Sequence, residues 1–249
     1  MDSSALWSQL ERVLDPELDE SIVRLGFVRH VDWDGRRACI VLRLPTYWCS
    51  PNFAYLMLDG IRRAVLSLPG VESVQVELED HFASGELSAG VSAGRTFREI
   101  FPEEASEELE ELRQRLLMKG YLSRLLVLIQ ALRAAGAREE ELVAASLGQL
   151  VSQGEDAWLR TEGGERGPIR RQVVDRYLGR RAELGLPMTP DAPLVLRPDG
   201  QAIPSKAFAE ELRRMRATVI NLRASTTLCE ALLASRQQWW DRERKEVAR

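Results

Sequence analysis

Apolar positions recur along the chain with two periods, and the points where one gives way to the other mark its elements. Leu6, Leu10, Val13 and Leu14 fall at helical spacing with Ser8, Gln9, Glu11 and Arg12 between them, which predicts a short amphipathic first helix. Asp15-Pro16-Glu17 ends it, because the proline disfavours helical geometry at Asp15 and lacks a donor. Period-two runs follow. Phe27 to Trp33 and Ala38 to Leu44 flank Asp34-Gly35, a dipeptide suited to a tight hairpin turn of primed type, so the two runs are expected to pair antiparallel. In the second strand Ala38, Ile40, Leu42 and Leu44 share one face while Cys39, Val41 and Arg43 share the other, and Cys39 reads as a packing residue. A helix beginning at Pro51 carries Phe53, Tyr55, Leu56, Leu58, Ile61, Ala64, Val65 and Leu68 and stops at Pro69-Gly70. Val74, Val76 and Leu78 then alternate with Ser73, Gln75 and Glu77 in a third strand. A strand-helix-strand passage is normally a right-handed crossover that makes its strands parallel. The expected product is an α/β fold, a small mixed three-stranded sheet with helices on one face.

From about Pro102 the pattern becomes helical throughout. Leu109, Leu112, Leu116, Leu125, Leu128, Ile129 and Leu132 form the stripe of a long helix that stops near Gly136. Glu103, Glu104, Glu107 and Glu108 crowd its front, where the helix dipole favours acids. A second helix is expected from about Glu139 to Val151, and Gly163-Gly164 with Gly167-Pro168 separates it from a third ending near Gly185. Leu194-Val195-Leu196 and Ala202-Ile203 around Asp199-Gly200 suggest a small hairpin, and a last helix runs from Ser205 toward Arg236. The organisation this predicts is an α/β domain over residues 1–95 and a mainly α-helical domain over residues 96–249, the latter suited to recognising a partner.

A chain of 249 residues exceeds the commonest domain size, which agrees with two domains. With 45% hydrophobic and 29% charged residues it has the composition of a soluble globular protein. A net charge of -4 and a pI near 5.5 give no general attraction to nucleic acid or anionic lipid, so neither is an expected partner. Met1-Asp2-Ser3-Ser4 lacks the basic and apolar regions of a secretory signal. The densest apolar stretch, Leu122 to Leu132, is interrupted by Ser123, Arg124 and Gln130 and is shorter than the roughly 20 residues that span a bilayer. Cys39, Cys49 and Cys229 are widely separated and odd in number, which fits a reducing cytoplasm better than a disulfide framework, and no C-x-x-C pair offers a zinc site. Arg166, Arg170, Arg171, Arg176, Arg180 and Arg181 read as the wet face of a helix. Trp239-Trp240 either anchors a partner, as interface aromatics often do, or packs onto the chain's own core.

Candidate chemistry concentrates between Leu44 and Asn52. Ser50 suits an N-cap and Pro51 the first helical position, so Cys49 lies just outside a helix N-terminus, where unpaired N–H groups and the dipole are expected to ease formation of its thiolate. Asp15 and Glu17 lie in an acidic turn that by itself carries no functional weight. His81 follows the third strand at the sheet edge that also carries Cys49, as a candidate ligand or proton acceptor, the alternative being a surface loop histidine; His30, within a strand, reads as a packed or edge residue. The glycines from Gly85 to Gly94 are too irregular for a dinucleotide or phosphate loop.

The order of a helix, Asp15-Pro16-Glu17, Leu25-Gly26-Phe27-Val28, a strand pair, Pro45-Thr46-Tyr47-Trp48-Cys49-Ser50-Pro51, a helix, and Leu68-Pro69-Gly70-Val71 with Val74 resembles the iron-sulfur cluster assembly family that includes the SufT and PaaD proteins. The resemblance covers about the first third of the chain. It implies a small cytosolic factor that helps deliver iron or iron-sulfur clusters to client metalloproteins, with Cys49 as the reactive position and Asp15, Glu17 and Thr46 lining the pocket beside it. Two features depart from the PaaD pattern: no cysteine cluster follows the core domain, and Trp48 and Ser50 replace the small residue and close Cys-Pro junction. One thiolate cannot hold a cluster in the usual four-cysteine manner. The site is therefore expected to be shared across a homodimer, completed by oxygen or imidazole ligands such as His81, or transient.

The sequence thus reads as a non-enzymatic metallocofactor assembly factor with Cys49 as metal or cluster ligand and an iron-dependent oxygenase as one class of client. Its rival is a structural adaptor or specialised chaperone in which the old metal site persists as packing. A cysteine hydrolase is disfavoured because no histidine stands in a recognisable catalytic pattern with Cys49.

Overall fold

The computed structural model describes residues 3–103 and 108–247; Glu104 and Glu107, expected at the front of the long helix, lie outside the described residues, as do the side chains of Glu108, Trp239 and Trp240. The chain divides into two compact units. One runs to Leu112 and resumes at Leu222, and the other is Arg113–Asn221.

In the first unit, α1 (Ser4–Leu10) ends a turn earlier than the apolar spacing predicts. Val13 and Leu14 instead enter an extended segment, where β1 (Leu14–Asp15) pairs antiparallel with β2 (Glu20–Ser21). The strands β3 (Val28–Trp33) and β4 (Arg37–Arg43) form the expected hairpin. Gly35 takes φ 98° at its tip, and the Asp34 carboxylate accepts the Arg36 and Arg37 N–H groups at 2.8 and 2.7 Å. A bulge at Val28/His30 breaks the register on β3, an edge strand, and leaves His30 exposed. Next, α2 (Pro51–Leu66) crosses to β5 (Ser73–Glu79), which lies parallel to β4 with Ala38 opposite Val74 and Arg43 opposite Glu79.

Ile40, Leu42 and Val76 on one sheet face pack with Leu6 and Leu10 of α1 and Met57, Leu58 and Ile61 of α2 in one buried cluster. Cys39 is on the other, less covered face, half-buried beside Glu77 rather than packed in that core.

The glycine-punctuated stretch after β5 is a helix, α3 (Ser84–Ser92), followed by the single turn α4 (Phe97–Ile100). Gly90 allows close packing there, since a Cβ at this position would lie 2.4 Å from the Ile100 side chain, which would have to move. The outer edge of β5 is shielded by α3. Ser92 Oγ and Ser88 Oγ accept the Val76 and Leu78 N–H groups at 3.0 and 2.9 Å, donors that an unprotected sheet edge would leave open to another strand.

The second unit takes in most of α5 (Glu108–Ala134) and then α6 (Glu139–Ala144), which ends well before the expected Val151. After a 3-10 turn at Leu147–Gln149, the chain forms an antiparallel meander of β6 (Leu150–Gln153), β7 (Asp156–Thr161) and β8 (Gly164–Arg170) that the sequence reading did not anticipate. Gly163-Gly164, read as a separator between helices, is the turn between β7 and β8. Helix α7 (Arg171–Glu183) follows, and Leu196 and Ala202 make the single antiparallel bridge of the small hairpin around Gly200. The last helix, α8 (Ser205–Val247), starts where expected and runs past Arg236.

Arg181 is not on a wet face. It is 0% exposed, and its guanidinium donates to the carbonyls of Pro187 and Pro193 and to the Tyr177 hydroxyl, each at 2.8 Å. Arg166 likewise pairs with Glu141, at 2.6 Å. No described helix is long and apolar enough to cross a membrane.

Candidate functional site

The site is built at the carboxyl end of β4, where an open α/β sheet leaves a crevice between the strand and the helix that follows it. The Ser50 carbonyl accepts the first N–H groups of α2, from Phe53 at 3.0 Å and Ala54 at 3.1 Å, with Pro51 in the first turn. Cys49 therefore sits where the sequence places it. The electrostatic expectation is reversed, however. Burial, then the Asp15 carboxylate, the Cys229 thiol and the Glu17 carboxylate push the Cys49 thiol up to about 12, and the Ser50 N–H opposes them only in part. The stabilisation available at a helix start is about 0.3–1 kcal/mol when exposed, too little to outweigh desolvation beside two acids.

Asp15 is brought to the same place by the β1–β2 clamp. It is 8% exposed, and its Oδ1 accepts the Glu17 N–H at 2.9 Å and the Leu18 N–H at 2.8 Å, so the carboxylate shapes the turn that carries both acids. Burial raises the Asp15 carboxyl from 3.8 to about 6; the two N–H donors work against this, and the nearby Glu17 adds to it. Glu17 and Thr46 are both half-buried, Thr46 three residues before Cys49 in the same loop.

His81 is 2% exposed and is not a surface loop residue. Its Nδ1 accepts the Ala83 N–H at 3.1 Å, which leaves Nε2 protonated to donate to the Cys49 carbonyl at 2.7 Å. Burial, offset by that carbonyl and assisted by Arg236, lowers its pKa and keeps the ring neutral. His81 thus reaches Cys49 through the backbone with both ring nitrogens engaged, and would have to give up one of these bonds to ligate a metal.

Around the same loop Tyr47, Trp48 and Phe82 form an exposed aromatic group. Trp48 is 76% exposed and stacks on Phe82 at 5.6 Å between centroids.

Two contributors come from α8. Arg236 donates to the Leu44 carbonyl at 2.9 Å and to the Asp80 carbonyl at 2.6 Å, and forms an ion pair with the Asp80 carboxylate, tying together the loops after β4 and β5. Cys229 packs against the same core as Cys49, its thiol raised by burial and then by Asp15 and Glu17. The sequence carries one signal for this: Cys229, Leu233 and Arg236 are spaced to share a helix face. Nothing in the spacing says which surface that face meets. As placed, no three His, Cys, Asp or Glu side chains among the described residues converge to hold a metal ion.

Residues 3–78 match the family of iron-sulfur cluster assembly proteins. This assembly segment runs from α1 to the end of β5 and includes Asp15, Glu17, Thr46 and Cys49; His81, Cys229 and the whole second unit lie outside it. Over 75 residues the chain is 37% identical to an iron-sulfur cluster carrier protein of Deinococcus radiodurans, a match covering 30% of this chain and 21% of that protein. The chain thus spans about a fifth of the length of that curated relative. No solved structure matches.

Proposed function

We propose that the chain is an assembly factor that accepts iron or an iron-sulfur cluster at Cys49, holds it transiently, and passes it to a client metalloprotein. The observation that carries this reading is the coincidence of the family match with a gathered site: the assembly segment contains Asp15, Glu17 and Cys49, and the fold brings these three distant residues into one electrostatic neighbourhood. A raised thiol suits a temporary seat. The proton must leave when metal binds, so affinity depends on pH and release is assisted by reprotonation. The aromatic group of Tyr47, Trp48 and Phe82 beside the loop supplies apolar surface for the protein that receives the cargo. The second unit, outside the assembly segment, selects that client, an iron-dependent oxygenase being one suitable class.

The test is anaerobic reconstitution of the full chain with ferrous iron and sulfide, comparing wild type with Cys49→Ser for bound iron, visible absorbance, oligomeric state and transfer to an apo-ferredoxin. Wild type should bind labile iron that Cys49→Ser loses, with any homodimer forming only in the loaded protein. Equal iron in the two proteins overturns this reading. It would favour a structural adaptor.

A further inference from the structure

The rings beside Cys49 form an ordered column rather than a loose patch. His81 lies against Phe82 with 4.7 Å between ring centroids and 27° between planes, and Phe82 lies against Trp48 at 5.6 Å and 29°. Tyr47 meets Trp48 edge-on, at 4.8 Å and 84°. Exposure rises along the column, from 2% at His81 through 44% at Phe82 to 76% at Trp48, so it starts in the protein and ends on an open indole face.

The column is also fixed. The Phe82 N–H donates to the Tyr47 carbonyl at 3.2 Å and His81 Nε2 to the Cys49 carbonyl at 2.7 Å, while Arg236 donates to the Leu44 and Asp80 carbonyls. These bonds stitch the loop after β4 to the loop after β5. An indole held in this way loses little freedom when something docks on it, and that is the property of an aromatic anchor at an interface.

Charge selects what the column can receive. Glu79 and Asp80 lead directly into His81 and Phe82. Their carboxylates pair with Arg43 and Arg236, but the acidic side chains are 42% and 37% exposed against 16% and 15% for the arginines, so an approaching partner meets the acids first. The unit as a whole carries 25 acidic and 16 basic residues. Such a field repels phosphate and attracts cations. Of the planar groups that extend a stack of rings, a nucleotide base arrives with phosphate, whereas a guanidinium is both flat and positive.

We propose that the open face of Trp48 seats an arginine side chain from a basic surface on the client protein, with the guanidinium flat on the indole and Glu79 and Asp80 supplying the acidic surround. This deepens the assembly reading and rests on it for the partner's being a client; the contact itself needs no metal.

The experiment labels the full chain, without added iron, with 5-fluorotryptophan and assigns the Trp48 fluorine resonance as the one missing from Trp48→Phe. The protein is titrated with a peptide of alternating arginine and glycine, with the matching lysine peptide, and with adenosine monophosphate. The arginine peptide should shift the Trp48 resonance, bind several-fold more tightly than the lysine peptide, and weaken as salt is raised. In fluorescence anisotropy of the labelled arginine peptide, Trp48→Ala should weaken binding about two- to fivefold and Trp48→Phe should restore part of the loss. A Trp48 resonance that stays in place with the arginine peptide, or moves as far with the lysine peptide, overturns the inference. A response to adenosine monophosphate alone would make the surface a nucleotide platform and overturn it as well. The wild-type resonance decides these outcomes without reliance on a variant's folding. No iron is present, so failure here leaves the Cys49 reconstitution standing, whereas equal iron in wild type and Cys49→Ser would remove the assembly reading and leave the arginine contact as measured.

Discussion

Asp15→Asn should make the first unit more stable at neutral pH while damaging its site. In the folded chain the Asp15 carboxyl titrates near 6, against 3.8 for the ordinary group, a difference of about two pH units that corresponds to roughly 3 kcal/mol. The sign follows from proton counting. Between these values the folded state holds the proton and the unfolded state has lost it. The folded state's advantage is therefore complete below about 3.8 and disappears as pH rises through 6. Asparagine carries no charge at any pH, and its amide oxygen can accept the Glu17 and Leu18 N–H groups in place of Oδ1. Its amide N–H groups need partners in a buried place, which returns about 1–3 kcal/mol of the gain. The net at pH 7.5 lies between about 0 and 2 kcal/mol of stabilisation, turning to a deficit near pH 4. Amide hydrogen exchange of β4 and α2 core residues, followed from pH 4 to 8 in both proteins, isolates this unit from the other. Titrations common to both chains cancel in the difference. Parallel pH profiles would refute the assignment of that proton to Asp15.

Cys49 should alkylate more slowly than Cys39 in the native chain at pH 8, and the two should converge in urea; liquid chromatography with mass spectrometry of timed quenches checks this, and faster reaction at Cys49 would restore the helix-start argument. Ser88→Ala and Ser92→Ala each remove the acceptor for a β5 N–H and should each cost about 1–2 kcal/mol of stability in urea unfolding, more than an exposed serine would. Arg181→Met should destabilise the second unit by about 3 kcal/mol, since it takes the guanidinium donor from the Pro187 and Pro193 carbonyls, and Arg181→Lys should recover only part of this because one ammonium cannot reach both in the same way. Loss of protection confined to α7 in hydrogen exchange would locate the effect.

What the sequence made legible is local. The Asp34-Gly35 turn, the alternation of β4 and β5, and the Ser50-Pro51 helix start each depend on residues within a few positions, and each appears where the pattern places it. The β6–β8 meander escaped because its strands are short and polar, with Val151, Ala157, Leu159 and Ile169 too sparse to set a period of two. Helix α3 escaped because Gly85 and Gly90 argue against a helix in isolation, whereas in the fold the second of them gives room to the Ile100 side chain. Arg181 was misjudged for a similar reason. A guanidinium in an arginine-rich helix is usually wet, and only the fold reveals the backbone carbonyls that receive this one.

The site divides along the same line, and the division has a physical cause. Position relative to a helix start can be read from Ser50 and Pro51, but the ionisation of Cys49 is set by Asp15, Glu17 and Cys229, which neighbour it only after folding. Burial cost and like-charge repulsion act through space, so they leave no periodicity in the chain. Asp15-Pro16-Glu17 reads as an ordinary acidic turn because nothing local says that β1 and β2 will pair around it and bury Asp15. The surroundings of Cys229 are not legible in the sequence because the placing of this part of α8 involves Leu233 and Arg236, whose neighbours at Gly26, Leu44 and Asp80 lie in the first third of the chain. A family match ending at residue 78 therefore covers the fold of the sheet but not the environment of its cysteine. That environment is finished by residues far downstream, so the last helix contributes to the ionisation of Cys49 without altering the motif that presents it.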